Sequence, residues 1–128
     1  MKQNQVEILL IEDNPDEAEL AIRSLKKNSL ANNLVHIDDG AEALEYIEKN
    51  PPPPSLIFLD LNMPVMDGFG FLEEFEKLDE TVRNHCHVVV LSSSISAEDI
   101  NRASTNPYVT RYVNKPLSEK YLDAIHFE

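Results

Sequence analysis

Apolar residues along the chain fall into five short runs, and each run stops at a polar group. Val6 to Ile11 ends at Glu12-Asp13, Leu34 to Ile37 leads into Asp38-Asp39, and Leu56 to Leu59 ends at Asp60. His87 to Leu91 ends at Ser92-Ser93-Ser94, and Val109 to Val113 ends at Asn114-Lys115. Short continuous apolar runs bounded by turn residues are the mark of strands buried on both faces, the situation in a parallel sheet. Between them the apolar positions change to helical spacing: Ala18, Ala21, Ile22 and Leu25, then Ala43, Leu44 and Ile47, then Phe71, Leu72, Phe75 and Leu78. A fourth pattern, Ala97, Ile100 and Ala103, is the thinnest, and Tyr121, Leu122 and Ile125 give a brief fifth.

Helix start signals sit where this pattern needs them. Asn14 is placed to cap the first helix, Pro15 suits the first helical position, and Glu17 stands where a capping box wants an acid. Asp39 and Ser96 are placed to cap the second and fourth helices, which makes Asp38-Asp39 ordinary turn and cap chemistry rather than metal ligands. Pro51 to Pro54 ends the second helix and makes a stiff connector into the third strand. Five strand-helix units in strict alternation predict an α/β fold: a doubly wound, five-stranded parallel sheet with helices on both faces and right-handed crossovers. One domain is expected over residues 1–128, with no internal boundary and no output domain.

Ligands in such sheets bind beyond the carboxyl ends of the strands. There the pattern brings together Glu12, Asp13, Asp60, Ser92 and Lys115. Asp60 taken alone is also compatible with a simple turn cap. Three carboxylates in one place repel one another, and the remedies are protonation or a cation. Lys115 supplies one positive charge, and an oxygen-only donor set with room for water and phosphate suits Mg²⁺.

Composition narrows the function classes. Of 128 residues, 42% are hydrophobic and 27% charged, as in a globular protein. Twenty-three acids against eleven Lys and Arg give a net charge of -12, which repels a phosphate backbone and argues against direct nucleic-acid binding. Cys86 is the only cysteine and has no activating context, so an inert core thiol is expected. The apolar runs are too short to cross a bilayer and the first residues do not resemble a signal peptide, so a cytoplasmic location is expected. His85 and His87 alternate on one strand without a second ligand pair, short of the four ligands that structural zinc needs. Tyr46, Tyr108 and Tyr121 read as packing residues.

The pieces Leu9-Leu10-Ile11-Glu12-Asp13-Asn14, Leu59-Asp60-Leu61-Asn62-Met63-Pro64 with Met66-Asp67-Gly68, Val89-Val90-Leu91-Ser92 and Tyr112-Val113-Asn114-Lys115-Pro116, in this order and at these separations, resemble a response-regulator receiver domain over essentially the whole chain. The resemblance implies a (βα)5 flavodoxin-like sheet of strand order 2-1-3-4-5. It implies that Asp60 accepts a phosphoryl group from a phosphohistidine of a sensor histidine kinase. Asp13, Asp60 and the backbone carbonyl of Asn62 would ligate Mg²⁺, and Glu12 would act through water. Lys115 and the hydroxyl of Ser92 would contact phosphoryl oxygens. Asn62, Ser93 and Ser94 would tune phosphoryl lifetime, and the bond from Lys115 to Pro116 would be cis.

Signalling is expected to pass through Ser92 and Tyr112 to the surface made by the fourth helix, fifth strand and fifth helix, which is also where receivers dimerise. The downstream protein is open. Such a chain is no enzyme beyond assisting its own phosphorylation and slow dephosphorylation. Two rival readings belong to other classes. An aspartyl-phosphate hydrolase would want a second acid two residues after Asp60, where this chain has Asn62. A receiver fold kept only for docking need not retain Glu12, Asp13, Asp60, Ser92 and Lys115 together.

Overall fold

The computed structural model describes residues 7–27, 33–61, 63, 66–92 and 96–115. Five parallel strands, β1 (Glu7–Ile11), β2 (Asn33–Ile37), β3 (Leu56–Asp60), β4 (His87–Ser92) and β5 (Val109–Asn114), form one sheet in the order β2-β1-β3-β4-β5. The predicted doubly wound topology is therefore observed. The helices are α1 (Pro15–Lys27), α2 (Gly40–Lys49), α3 (Gly68–Phe75), α4 (Glu80–His85) and α5 (Ala97–Ser104).

Strand alternation divides the core in two. Leu9 and Ile11, Ile57 and Leu59, and Val88 and Val90 pack with Ala43, Ile47, Phe71, Leu72, Phe75 and Ala103 on one face. Ile8 and Leu10, Leu56 and Phe58, and Val89 and Leu91 pack on the other face with Ala18, Ala21 and Leu25 of α1. All five residues of β3 are buried, because the central strand is covered on both sides. Asp60 thus stands at the end of the most enclosed strand in the molecule.

Three details differ from the pattern predicted from sequence. Helix α4 lies in the connection between α3 and β4, and it makes the helix expected as fourth, over Ala97, the fifth described one. It buries none of its residues fully and starts at Asp79, whose side chain accepts from the Thr81 amide, so apolar periodicity had nothing to report. Helix α5 buries only Ala103, and Ala97 is exposed rather than part of the core stripe. The β4–β5 ladder slips between Val88 and Val89, which face Val109 and Arg111 respectively. The expected last helix, from Leu117, lies outside the described residues.

The turn after Asp60 is closed by the amide of Gly68, which donates to the carbonyl of Leu61 at 3.0 Å. At this approach there is no room for a side chain: a Cβ on Gly68 would lie 2.7 Å from Leu61 Cδ2 and 2.8 Å from Leu61 Cα. Leu61 Cα is backbone and cannot rotate away. Gly68→Ala is expected to cost about 1–3 kcal/mol by overpacking, seen as a lower urea midpoint at an unchanged denaturant slope.

Candidate functional site

Each site-bearing segment is held by one hydrogen bond that continues the sheet to its edge. The Glu12 amide donates to Ile37 carbonyl at 3.2 Å, the Leu61 amide to Leu91 carbonyl at 3.1 Å, and the Lys115 amide to Ser92 carbonyl at 2.9 Å. His36 adds its Nε2 at 2.8 Å from the carbonyl oxygen of Glu12. The carboxylates on these segments therefore have little freedom to drift apart.

Glu12, Asp13 and Asp60 each offer a carboxylate oxygen within 4.8 Å of the others. Glu12 and Asp60 are buried and Asp13 is half-buried. Lys115 reaches into this group, with its Nζ 2.9 Å from Glu12 Oε1 and 2.9 Å from Asp60 Oδ1. The same ammonium contacts Oε1 of Glu17, from the first turn of α1. Burial pushes the Glu12 carboxyl up to about 7, against the pull of Lys115 and with the help of neighbouring Asp60. Burial works to lower Lys115, but hydrogen bonds to Glu17, Glu12 and Asp60 outweigh it and hold the ammonium charged above the usual lysine range. Four acidic side chains thus lie around one cation.

The arrangement suits a hard divalent cation. All three clustered donors are carboxylate oxygens, the choice of Mg²⁺, Ca²⁺ and Mn²⁺ rather than of thiolate-seeking metals. The lysine supplies a second, fixed positive charge beside Asp60. Ser92, at the end of the neighbouring strand, is fully buried. Tyr112 faces Val90 in the β4–β5 register, and strand alternation puts it on the same face of the sheet as Ser92.

Sequence reasoning had therefore identified Glu12, Asp13, Asp60, Ser92 and Lys115 as neighbours at one edge. Asn62, Ser93, Ser94 and Pro116 lie outside the described residues. Glu17 was assigned the wrong partner. Its side chain turns to Lys115 instead of back to the Asn14 amide, which donates to Glu12 Oε2 at 3.3 Å. Asn14 still caps α1, its Oδ1 accepting from the amides of Asp16 at 2.9 Å and Glu17 at 3.0 Å. The Glu17–Lys115 pair spans 98 positions, beyond the reach of any local pattern.

Residues expected to be inert are elsewhere. Asp39 caps α2 through the amides of Ala41 and Glu42, and Asp38 is exposed. Cys86 is buried, which pushes its thiol up to about 12. Tyr46 donates to Glu7 at 2.8 Å, while Tyr108 packs edge-on against Phe75 and takes a hydrogen bond from Arg83. Tyr121 lies outside the described residues. Among the described residues no helix is long and apolar enough to cross a membrane.

Comparison with known proteins decides the family. The response regulator receiver domain model matches residues 8–126. The chain belongs to the response-regulator receiver family. It is 35% identical over 115 residues to the probable methanogenesis regulatory protein FilR2 of Methanothrix harundinacea, covering 87% of this chain and 72% of that protein. It is 33% identical over 120 residues to the response regulator Rcp1 of Synechocystis, covering 90% of this chain and 80% of that one. The phosphorylated cyanobacterial phytochrome response regulator RcpA superposes with a TM-score of 0.77 at 33% identity, over 92% of this chain and 86% of RcpA. An Mn²⁺-bound form of Rcp1 superposes with a TM-score of 0.75 at 30% identity, over 91% and 86% of the two chains. The chain is thus a receiver domain of two-component response regulators, a class built for phosphorylation-based signalling.

The charge imbalance predicts opposite effects for two substitutions in chelator-treated protein at neutral pH. Asp60→Asn removes one of the crowded carboxylates while Lys115 keeps Glu12 and Glu17, and is expected to raise unfolding free energy by about 1–2 kcal/mol. Lys115→Ala takes the cation away from the buried carboxylates of Glu12 and Asp60 and is expected to lower it by about 3 kcal/mol. Urea titrations of the three proteins side by side check both signs.

Proposed function

We propose that the chain is a phosphorylation-activated signalling switch that takes a phosphoryl group on Asp60 from a sensor histidine kinase. The observation that carries this reading is the contact of Lys115 with Asp60 at the edge of the Glu12–Asp13–Asp60 cluster. That contact sets a nucleophilic carboxylate beside a fixed ammonium and a divalent-cation donor set.

In the transfer a lone pair on an Asp60 carboxylate oxygen attacks phosphorus and the phosphorus–nitrogen bond of the donor phosphohistidine breaks. The electron pair leaves on the imidazole nitrogen, and a proton on the other ring nitrogen keeps the departing ring neutral. Phosphoryl transfer asks the protein mainly for positioning and charge neutralisation. Asp13, Asp60 and the Asn62 carbonyl would hold Mg²⁺, with Glu12 acting through water, and a bound Mg²⁺ would neutralise charge on the transferring oxygens. Lys115 contacts one phosphoryl oxygen as a point charge and Ser92 turns its hydroxyl to another. By the family pattern, Asn62, Ser93 and Ser94 would set the phosphoryl lifetime. The chain has no other catalytic role, acts in the cytoplasm, and passes its signal by binding a downstream protein.

A short experiment tests the reading. Intact-mass spectrometry after incubation with Mg²⁺ and acetyl phosphate is expected to show one phosphoryl adduct on the wild type. Asp60→Asn and metal-stripped protein are expected to show none. Absence of an adduct under every condition would favour a phosphorylation-independent docking module.

The output surface is the face around α5 and β5. Helix α5 buries a single residue, so moving it disturbs little core. The Arg102 guanidinium sits 4.0 Å over the Phe69 ring, linking α5 to the first turn of α3 just beyond the Asp60 loop. The same face is available for a homodimer. Phosphorylation is expected to shift the amide resonances from Ala97 to Asn114 far more than those of β2 and α2, in ¹H–¹⁵N spectra recorded with and without donor.

A further inference from the structure

We infer that Glu17 is a positioning residue that competes with the incoming phosphoryl group for Lys115, so that it holds the chain toward its unphosphorylated state. The inference rests on the reading of Asp60 as the phosphoacceptor.

A lysine ammonium has three N–H donors. In this structure Lys115 faces three carboxylates: Glu12 at 2.9 Å, Asp60 at 2.9 Å, and Glu17. A phosphoryl oxygen takes the place of the Asp60 carboxylate on the ammonium, and its larger negative charge then competes for Lys115 with Glu12 and Glu17. The three are not equal. The side chains of Glu12 and Asp60 are each 2% exposed, whereas that of Glu17 is 45% exposed. Breaking the contact to Glu12 would strand a buried carboxylate, which is costly. Releasing Glu17 only returns a half-exposed carboxylate to water. Glu17 is the partner that yields.

Its backbone amide is tied to Asn14 Oδ1 at 3.0 Å, in the first turn of α1, so the backbone that carries the released carboxylate stays beside the site. Phosphorylation then leaves an acid without its lysine beside a group that carries roughly -1.5 to -2 charge. Both effects oppose the phosphorylated state. Removing the charge at position 17 removes both, with no atom taken from the acceptor or the metal donors.

The test uses beryllofluoride, a phosphoryl mimic, at saturating Mg²⁺, with half-saturation followed by ¹⁹F resonance and by thermal shift. Glu17→Gln is expected to bind about three- to tenfold more tightly than the wild type, and to reach a higher steady-state phosphorylated fraction at limiting acetyl phosphate. Glu19→Gln is the control, since Glu19 lies on the same helix and pairs with Arg23 at 2.8 Å, so it removes the same net charge without touching Lys115. It is expected to match the wild type. A merely structural Glu17 would leave affinity unchanged or weaken it. Unchanged or weaker binding in Glu17→Gln, or equal tightening in Glu19→Gln, overturns the inference while leaving Asp60 as acceptor. A wild type that takes neither beryllofluoride nor a phosphoryl group overturns the acceptor reading and this inference with it.

Discussion

Everything at this edge of the sheet depends on one imbalance: several carboxylates confined around a single ammonium. Two like charges 4 Å apart repel by about 4 kcal/mol at the effective dielectric of a protein surface. Protonation of Glu12, whose carboxyl is pushed up to about 7, relieves only part of that. Glu12 and Asp60 are carried by strand ends, and the backbone bonds from Glu12, Leu61 and Lys115 to neighbouring strands resist any spreading of the sheet. The two apolar cores supply the opposing stability, because β1, β3 and β4 cannot shift without unpacking both faces. The repulsion is therefore kept as a standing demand for positive charge. Lys115 meets part of it, and a hard cation would meet the rest.

This also explains which parts of the molecule were legible in the sequence. A strand buried on both faces must be apolar throughout, so Leu56 to Leu59 announced itself, and the first charged residue after it had to mark the strand's end. The same logic located Glu12, Ser92 and Lys115, and alternation of strands with helices gave a parallel sheet, while the strand order came from the family resemblance. Helix α4 was missed because its one inward apolar residue, Val82, sets no period and its start depends on a single capping bond from Asp79. Glu17 was misread for a different reason. A local rule offered it a partner three residues away, and a buried ammonium outbid that partner from the far end of the chain.

Gly68 shows how local chemistry and the site meet in one atom. Its missing Cβ lets the chain turn back over Leu61 immediately after Asp60, and the same turn starts α3 with Asp67 as cap, its Oδ1 accepting from the Gly70 amide at 2.8 Å. The residue next to that glycine is Phe69, whose ring receives Arg102 of α5. Two short steps, the Gly68–Leu61 turn contact and a cation–π contact, therefore connect the end of β3 to α5. No long chain of contacts is required.

Such a contact is well matched to a switch. A cation–π pair at a partly exposed site contributes about 0.5–1 kcal/mol, whereas full burial of a large apolar side chain contributes about 1.5–3 kcal/mol. Helix α5 has one fully buried residue, Ala103, which is small, and Arg102 over Phe69 adds a surface contact in place of a deep apolar seam. Helix α1, with Ala18, Ala21 and Leu25 buried, and α3, with Phe71, Leu72 and Phe75 buried, are fixed by comparison. Under the proposed switch, charge rearranged at Asp60 would move α5 before α1 or α3, which are held by deeper apolar packing. In that reading the weak packing of α5 is no defect of the fold; it would set where a change of a few kcal/mol at the carboxylate cluster becomes a change of surface.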